Sequence, residues 1–463
     1  MKTRLIFPPS CYADGKNREE GEGVVGDWEG SEYSKCGRTD RGVSAFGQVI
    51  GVRVRSARPK EKVKEVENEH VAEGKDDDIM DTLAEEQDVV ATQPFDPIKD
   101  ELPYIALLNR VLPPDIRILA WCPNPPPNFD ARFSCKERKY RYFFTSPAFL
   151  PLPGPAGVSS RTGGHREGWL DIEAMREGAS YLVGTNDFRN FCKVDPTKQL
   201  TSFTRRISEA KIVHVGRVGG PGFIGRFMND AQGGSGLPMD KDMHLYSFDV
   251  QGSAFLWHQV RCMIGVLFLI GQRLEAPTLA RELLDVENNP CRPHYEMASD
   301  QPLVLWDCMF SIDPDKGKFG DGEKPKGYID RGVGQDELDW VYASEDVAPG
   351  GSSPAKWGPM GLMPDLWRGW RKAKMDEVLT SQLLDLVAKQ GAGETEVVES
   401  SQPAAKENQR VFEGHDDASP RGKYVPVMQR PKLDPVEVIN ARWAERKGRT
   451  SRVAVDSRAG NGE

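Results

Sequence analysis

The chain has 463 residues, 38% of them hydrophobic, and a net charge of −9. This length accommodates two core-forming domains with extensions. The longest apolar run, Cys262 to Ile270, is too short to cross a bilayer, and no apolar leader follows Met1, so we expect no membrane association.

The eight cysteines are scattered along the chain, with no C-x-x-C pair and no histidine at metal-ligand spacing. We therefore expect free thiols of a reducing compartment, and neither a disulfide framework nor a zinc site. This pattern predicts a protein of the nucleus or the cytoplasm.

The first informative stretch is residues 34–54, SKCGRTDRGVSAFGQVIGVRV. Gly37 and Gly42 bracket a tight turn around Arg38 and Asp40, and both glycines allow a bulky ligand to approach the backbone closely. The following residues alternate between apolar and polar and predict a strand. A single carboxylate in such a loop is a candidate reacting group, although an Asx turn or a helix cap would also explain Asp40.

An acidic segment follows at residues 57–97. The region from Glu61 to Glu101 contains fifteen acidic residues and only four lysines, and it has few aromatic residues. It cannot bury enough apolar surface to fold, so we predict a disordered insertion. Because the rest of the chain is slightly basic, the overall acidity does not exclude a nucleic-acid partner.

Ordered structure is predicted again from Leu102, where apolar residues at helical spacing end at Pro113 and the alternation of residues 116–120 indicates a strand. Residues 129–144, FDARFSCKERKYRYFF, then combine basic residues, including Arg132, with aromatic side chains that alternate along a predicted strand. Such a strand is often simply part of a core, but aromatic residues among cations also suit an unpaired base beside phosphates.

Two helices are predicted further along the chain. Asp171 is the expected N-cap of the first, which carries an apolar face, and residues 252–273, GSAFLWHQVRCMIGVLFLIGQR, form a broadly apolar second one. Arg261 lies near the start of the second helix and needs either solvent or a carboxylate partner. After Ser311 the composition becomes rich in Gly, Lys, Asp and Pro, and residues 391–418 read as disordered.

Three motifs now stand in one order: the GRTD-x-GV loop, the ARFS/KYRY strand and the W-H-Q-V-R helix. In this order they resemble the TruA family of tRNA pseudouridine synthases, over residues 34–310. The wording of KCGRTDRGVSAFGQV, LNRVLPPDIR and FLWHQVRCMIGVLFLIGQ is most similar to the eukaryotic branch that modifies positions 38 and 39 of the tRNA anticodon stem-loop.

The resemblance implies an α+β pseudouridine synthase fold, with two ferredoxin-like halves and an antiparallel-rich mixed sheet around a central cleft. The halves would be residues 1–150 and 169–312, joined by a linker at 151–168. Residues 313–463 would form a largely irregular extension with a basic end. The first strand of the family is not visible before the GRTD loop, which favours an incomplete chain over a dispensable strand.

The resemblance also implies an isomerase with tRNA as its partner, a homodimeric assembly, and neither a cofactor nor a metal. Asp40 would be the catalytic aspartate, with Arg38, Tyr140 and Arg132 binding the substrate. Tyr140 would stack on the target base, and Arg261 would form an ion pair with Asp40 that fixes its rotamer. A catalytically silent tRNA-binding protein derived from this family is the alternative.

Overall fold

The computed structural model describes residues 31–59, 94–152, 157–159, 165–224, 242–310, 338–343, 354–390, 410–420 and 423–448. These form two compact units. One contains the described residues up to 33, from 52 to 127 and from 338 to 371, and the other contains the rest. Most of the predicted acidic insertion, residues 60–93, lies outside the described residues.

The strands are short in the first part of the chain and longer from residue 137 onward. They are β1 (Ser34–Lys35), β2 (Ser44–Ala45), β3 (Ile50–Gly51), β4 (Ala120–Trp121), β5 (Glu137–Ser146), β6 (Val158–Ser159), β7 (His165–Arg166), β8 (Gly184–Asp187), β9 (Thr204–Val218), β10 (Met243–Gly252), β11 (Leu303–Met309), β12 (Val341–Tyr342), β13 (Arg410–Val411) and β14 (Ser419–Pro420).

The helices of the described residues range from four to 27 residues. They are α1 (Tyr104–Asn109), α2 (Ile172–Ser180), α3 (Gln259–Gly271), α4 (Leu279–Leu284), α5 (Pro354–Trp357), α6 (Leu362–Ala388) and α7 (Val436–Arg446). Single turns of 3-10 helix cover Arg189–Phe191 and Val427–Gln429. Among the described residues, none of the helices combines the length and the hydropathy needed to cross a membrane.

The larger unit is built on a six-stranded sheet in the order β2-β11-β5-β10-β9-β8. The β2/β11 pair is parallel, and the other four neighbouring pairs are antiparallel. The prediction of a mixed, antiparallel-rich α+β protein is therefore confirmed at this level. Because β11 lies between β2 and β5, the sheet brings residues near position 45 next to strands that follow 90 or more positions later.

Strand β5 faces the core with one set of alternate residues, as its pattern predicts. The Tyr142 and Phe144 rings each contact Phe268 of α3 edge-on, at 6.0 and 5.4 Å between ring centres. On the opposite face, the Arg141 guanidinium lies 4.0 Å from the centre of the Trp306 ring. The period of two in the sequence thus separates a buried aromatic face from a polar one.

Helix α3 is the centre of this core, since all thirteen of its residues are buried. Helix α2 packs beside it and begins where the sequence predicts, because the Asp171 carboxylate accepts a hydrogen bond from the Ala174 amide at 3.0 Å. This contact satisfies one of the free amides of the first helical turn.

The C-terminal region contains α6 and α7. Residues 410–418, for which the composition predicts disorder, instead pack into the main core. Phe412 lies 4.8 Å from Phe268 and 5.4 Å from Phe149, measured between ring centres, and its amide donates to the Gln272 side chain at 2.9 Å. The prediction was wrong for residues 410–418 because a short apolar pair in a polar sequence gives little signal until its partners are known.

The smaller unit has its own apolar cluster around Ile105, which includes residues of α1, β4, α5 and the start of α6. Strand β4 pairs with β12. Of the strand predicted for residues 116–120, only Ala120 is in a strand, which continues to Trp121. Arg117 instead forms an ion pair with Asp365, its Nε donating at 2.6 Å.

Candidate active site

The loop between β1 and β2 presents Asp40 in a conformation fixed by backbone contacts. The Gly37 amide donates to Gln48 Oε1 at 3.1 Å, and Gln48 Nε2 donates back to the Gly37 carbonyl at 2.9 Å. The Val43 amide closes a turn onto the Asp40 carbonyl at 3.1 Å. These three bonds hold both ends of the loop, so the carboxylate does not depend on a mobile backbone.

Gly42 is required in this turn because its φ is +88°, a region that other residues rarely adopt. A Cβ at this position would also lie 2.6 Å from Asp300 Oδ1. At Gly37, by contrast, a Cβ would lie 3.5 Å from the nearest atom, Leu305 Cδ2, which is ordinary contact. Only the second glycine of the GRTD loop is therefore sterically essential.

Two ring nitrogens lie close to the Asp40 carboxylate. Trp257 Nε1 donates to Oδ1 at 3.2 Å, and His258 Nε2 lies 3.3 Å from Oδ2. The Asp40 side chain is 31% exposed, so a substrate can still reach it. The indole hydrogen bond, with the imidazole beside it, favours one orientation of the carboxylate, which a nucleophile or a general base needs.

His258 occupies the N-cap of α3 with a left-handed backbone, φ +61°. Burial lowers its pKa, an effect opposed by the charge of Asp40 and reinforced by Arg261. Burial thus favours the neutral form of the ring, and its Nε2 is the nitrogen that faces Asp40. Its Nδ1 has no hydrogen-bond partner among the described residues.

The predicted ion pair between Arg261 and Asp40 is wrong in this structure. Arg261 Nε donates to the Ala298 carbonyl at 2.7 Å, and its Nη1 lies 3.7 Å from Asp300 Oδ2. Asp300 in turn lies against Gly42. The arginine thus supports the loop through Asp300, while the ring nitrogens of residues 257 and 258 take the place at Asp40 that the motif suggested for it.

Tyr140 lies on β5 beside the loop. Its ring packs edge-on against Phe255, 5.0 Å between centres, and burial raises the pKa of its hydroxyl, with a smaller contribution from the Asp40 charge. Tyr140 pairs with Leu305 of β11, whose carbonyl accepts from the Phe46 amide at 2.9 Å and whose side chain lies against Gly37, so Tyr140 and the GRTD loop share this neighbour. Whether a base stacks on Tyr140 stays a prediction.

The two other predicted contact residues are exposed. Among the described residues, Arg38 has neither a hydrogen bond nor an ion pair with a carboxylate. The Arg132 guanidinium lies 5.4 Å from the centre of the exposed Phe133 ring. Both side chains carry unneutralised positive charge at the surface, which suits phosphate contacts.

Sequence reasoning did not identify Trp257 as a site residue. Its position directly before His258 in the W-H-Q-V-R motif was the signal that could have identified it. Its ring is 36% exposed, and the ammonium groups of Lys193 and Lys198 lie 5.1 and 5.9 Å from its centre. An exposed indole between two cations, with its N–H on the candidate carboxylate, links a surface for nucleic acid to the reacting group.

Sequence reasoning also missed a buried group of three cysteines, because residues 36, 135 and 308 are far apart in the chain. Their sulfur atoms all lie within 4.8 Å of one another, and no other group of three metal-ligating side chains occurs in the described part of the chain. Hydrogen bonds from Cys135 and Cys308 and the nearby Arg138 lower the pKa of Cys36, whereas hydrogen bonds with Cys135 and Cys36, together with burial, raise the pKa of Cys308.

A family model described as tRNA pseudouridine synthase matches residues 179–311 of this chain. This range includes β9, β10, α3 and β11, and hence Trp257, His258 and Arg261.

Curated relatives extend the similarity. The chain is 41% identical over 281 residues to the tRNA pseudouridine(38/39) synthase of Saccharomyces cerevisiae and 42% identical over 280 residues to that of Homo sapiens, with 60% of this chain and 46% of each relative covered. A probable tRNA pseudouridine synthase of Caenorhabditis elegans is 33% identical over 302 residues, covering 64% of this chain and 60% of the relative. The chain thus spans about half the length of the curated relatives it matches.

Proposed function

We propose that this chain is a member of the TruA family of tRNA pseudouridine synthases, in its eukaryotic branch, and that it isomerises uridine to pseudouridine in the anticodon stem-loop of tRNA, at positions 38 and 39. The match to the family model and the identity to the yeast and human relatives support this proposal. The single observation that carries the proposal is the carboxylate of Asp40, which is accessible in a fixed loop, accepts a hydrogen bond from the Trp257 indole and lies 3.3 Å from His258 Nε2. The printed names of the yeast and human relatives support the choice of positions.

The reaction breaks the N1–C1′ bond of uridine and joins C5 to C1′, and the C5 proton is then lost while N1 regains one. Asp40 either attacks C1′ or removes the C2′ proton to give a glycal, and both routes need one carboxylate. Because atoms and electrons balance within the nucleotide, the isomerisation itself needs no redox partner.

The surrounding residues divide the remaining work. The uridine has to leave the base stack before Asp40 reaches its sugar, and the exposed Arg38 would fill the vacated position. Tyr140 would face the extruded base, and Arg132 would contact phosphate. Arg261 acts as a positioning residue, since its contact with Asp300 supports the turn at Gly42.

The finer organisation is part of the same proposal. Residues 1–150 and 169–312 would form two ferredoxin-like halves joined by a linker at 151–168, with a C-terminal extension at 313–463, and the active form would be a homodimer in the nucleus or the cytoplasm. The membership of β5 and β9–β11 in one mixed sheet is compatible with two halves that share strands.

The test uses the full chain and unmodified tRNA transcripts that carry uridine at positions 38 and 39. We expect pseudouridine at these positions, mapped chemically at single-nucleotide resolution, and we expect Asp40→Asn to reduce its formation by about 10³-fold or more while tRNA binding is retained. Asp285→Asn is the matched control, because Asp285 contacts only its local turn at Asn288.

Two results would overturn the proposal. Product formation by Asp40→Asn at the rate of the parent would remove this carboxylate from the chemistry. Binding of tRNA by the parent without any product would instead select the catalytically silent alternative.

A further inference from the structure

Three of the five cysteines that are buried among the described residues of the larger unit converge from distant parts of the chain. Cys36 follows β1, Cys135 precedes β5 and Cys308 lies within β11. Their side chains are 3%, 7% and 1% exposed, and the three sulfur atoms lie within 4.8 Å of one another. A single buried cysteine is common as a small apolar residue, but three sulfur atoms facing each other form the donor set of a soft metal ion.

The separation of the sulfur atoms is compatible with one shared ion. Zinc–thiolate bonds of about 2.3 Å in a tetrahedral arrangement place sulfur atoms about 3.8 Å apart, so each sulfur has to move by less than about 1 Å. The free cysteines of the structure make no disulfide among themselves.

The charge around the cluster also fits a divalent ion. The Arg138 guanidinium is fixed beside it by bonds to the carbonyls of Cys36 at 3.1 Å, Arg132 at 3.0 Å and Ser253 at 2.8 Å. Three thiolates with one divalent cation carry a net charge of −1, which the guanidinium neutralises. Buried charges are stable when they are compensated in this way.

We propose that Cys36, Cys135 and Cys308 form a structural binding site for a thiophilic divalent cation of the Zn²⁺ type. The ion replaces the thiol protons on binding, and the fourth position of its tetrahedron is left to solvent or to a carbonyl oxygen. The site joins the segment that leads directly into the GRTD loop to strands β5 and β11, and it therefore stiffens the base from which Asp40 projects.

This inference does not depend on the proposed reaction, since the cation has no part in the isomerisation. Its test accordingly measures metal and thiols and not pseudouridine. The full chain, purified under reducing conditions, is stripped with a chelator and titrated with Co²⁺ alone and then with Zn²⁺ alone.

We expect about one Co²⁺ per chain, with the near-ultraviolet charge-transfer absorption of several thiolate ligands and the visible bands of a tetrahedral ion, displaced by one equivalent of Zn²⁺. Zinc should also raise the melting temperature of the stripped chain. Cys308→Ser should lose the charge-transfer band, whereas Cys291→Ser, outside the cluster, should keep it. The cobalt spectrum of the parent is measured without any substitution. The test therefore remains decisive even if Cys308→Ser does not fold.

Absence of a thiolate-to-cobalt band in the parent would overturn the proposal. So would a disulfide between two of the three cysteines in the reduced, metal-loaded protein, found by peptide mass analysis. If Cys291→Ser lost the charge-transfer band and no longer bound one Co²⁺ per chain, the ion would lie elsewhere. That result would also reject the proposed site.

Discussion

The GRTD loop and helix α3 meet at the candidate site, but they differ in how their polar groups are satisfied. In the loop, residues 37–42, the side chains of Arg38 and Arg41 are exposed. In α3, all residues are buried, and Arg261 is held by a carbonyl and by Asp300. The difference shows which arginine can meet a ligand: a guanidinium that already has its partners supports the fold, whereas an exposed one is available to substrate.

The sharpest way to break this comparison is to replace each arginine by methionine. Arg261→Met leaves the Ala298 carbonyl without its donor and Asp300 without its cation, so we expect a loss of about 2–3 kcal/mol in the free energy of unfolding. Arg38→Met should change that free energy by less than about 0.5 kcal/mol. Denaturant unfolding of both variants measures the difference.

Among variants that fold, we expect substitution of Arg38 to reduce kcat more than substitution of Arg261, which is the opposite of their order in stability. Arg38→Met is expected to lower kcat by about tenfold or more, because a positioning contact with the extruded nucleotide is lost. Arg261→Lys should recover stability in part and leave kcat less affected than Arg38→Met. Equal stability losses in the two methionine variants would contradict the division of roles.

The two glycines of the loop provide the second test. Gly42→Ala places a Cβ 2.6 Å from Asp300 Oδ1 at a φ of +88°, so we expect about 2 kcal/mol of destabilisation and a lower kcat. Gly37→Ala meets no atom closer than 3.5 Å and is the matched control. Thermal melting of both variants measures the effect, and a harmless Gly42→Ala would show that the turn is not fixed by Asp300.

The third test separates the indole N–H from the indole ring. Trp257→Phe keeps an aromatic face for Lys193 and Lys198 but removes the donor to Asp40, so we expect kcat to fall about tenfold with little change in KM. Trp306→Phe is the control, because Trp306 packs against Arg141 away from the carboxylate. A change in KM alone would assign Trp257 to binding.

The smallest expected effect concerns pH. Burial lowers the pKa of His258 and also that of His165, so the unfolded chain takes up protons more readily than the folded one. Stability from these groups is complete above the ordinary histidine pKa of about 6.5 and is lost as the pH falls below it. Asp171, whose pKa is lowered by its cap bond and by Arg273, loses its contribution only at more acid pH.

We therefore expect the free energy of unfolding to fall between about pH 7 and about pH 5. His258→Gln should reduce the slope, and the residual slope should disappear when His165→Gln is added. A slope that is identical in the parent and in the double variant would show that neither ring is kept neutral by the fold.

Local patterns in the sequence predicted the elements whose cause is local. The Asp171 cap, the alternating faces of β5 and the apolar length of α3 each follow from neighbouring residues, and the structure contains all three. The order of three motifs also indicated a resemblance to tRNA pseudouridine synthases, and the family model and the curated relatives show the same similarity. Two of these motifs meet at Leu305, which pairs with Tyr140 and accepts from the amide of Phe46.

The tertiary structure decided the pairings between distant residues. The chain alone could not show that Asp300, and not Asp40, is the carboxylate beside Arg261, that the indole of Trp257 donates to Asp40, or that the sulfur atoms of residues 36, 135 and 308 lie together. It also could not show that Phe412 enters the core. Sequence patterns report which residues prefer helix, strand or burial, whereas the partner of a charge or a thiol depends on which strands become neighbours in the sheet.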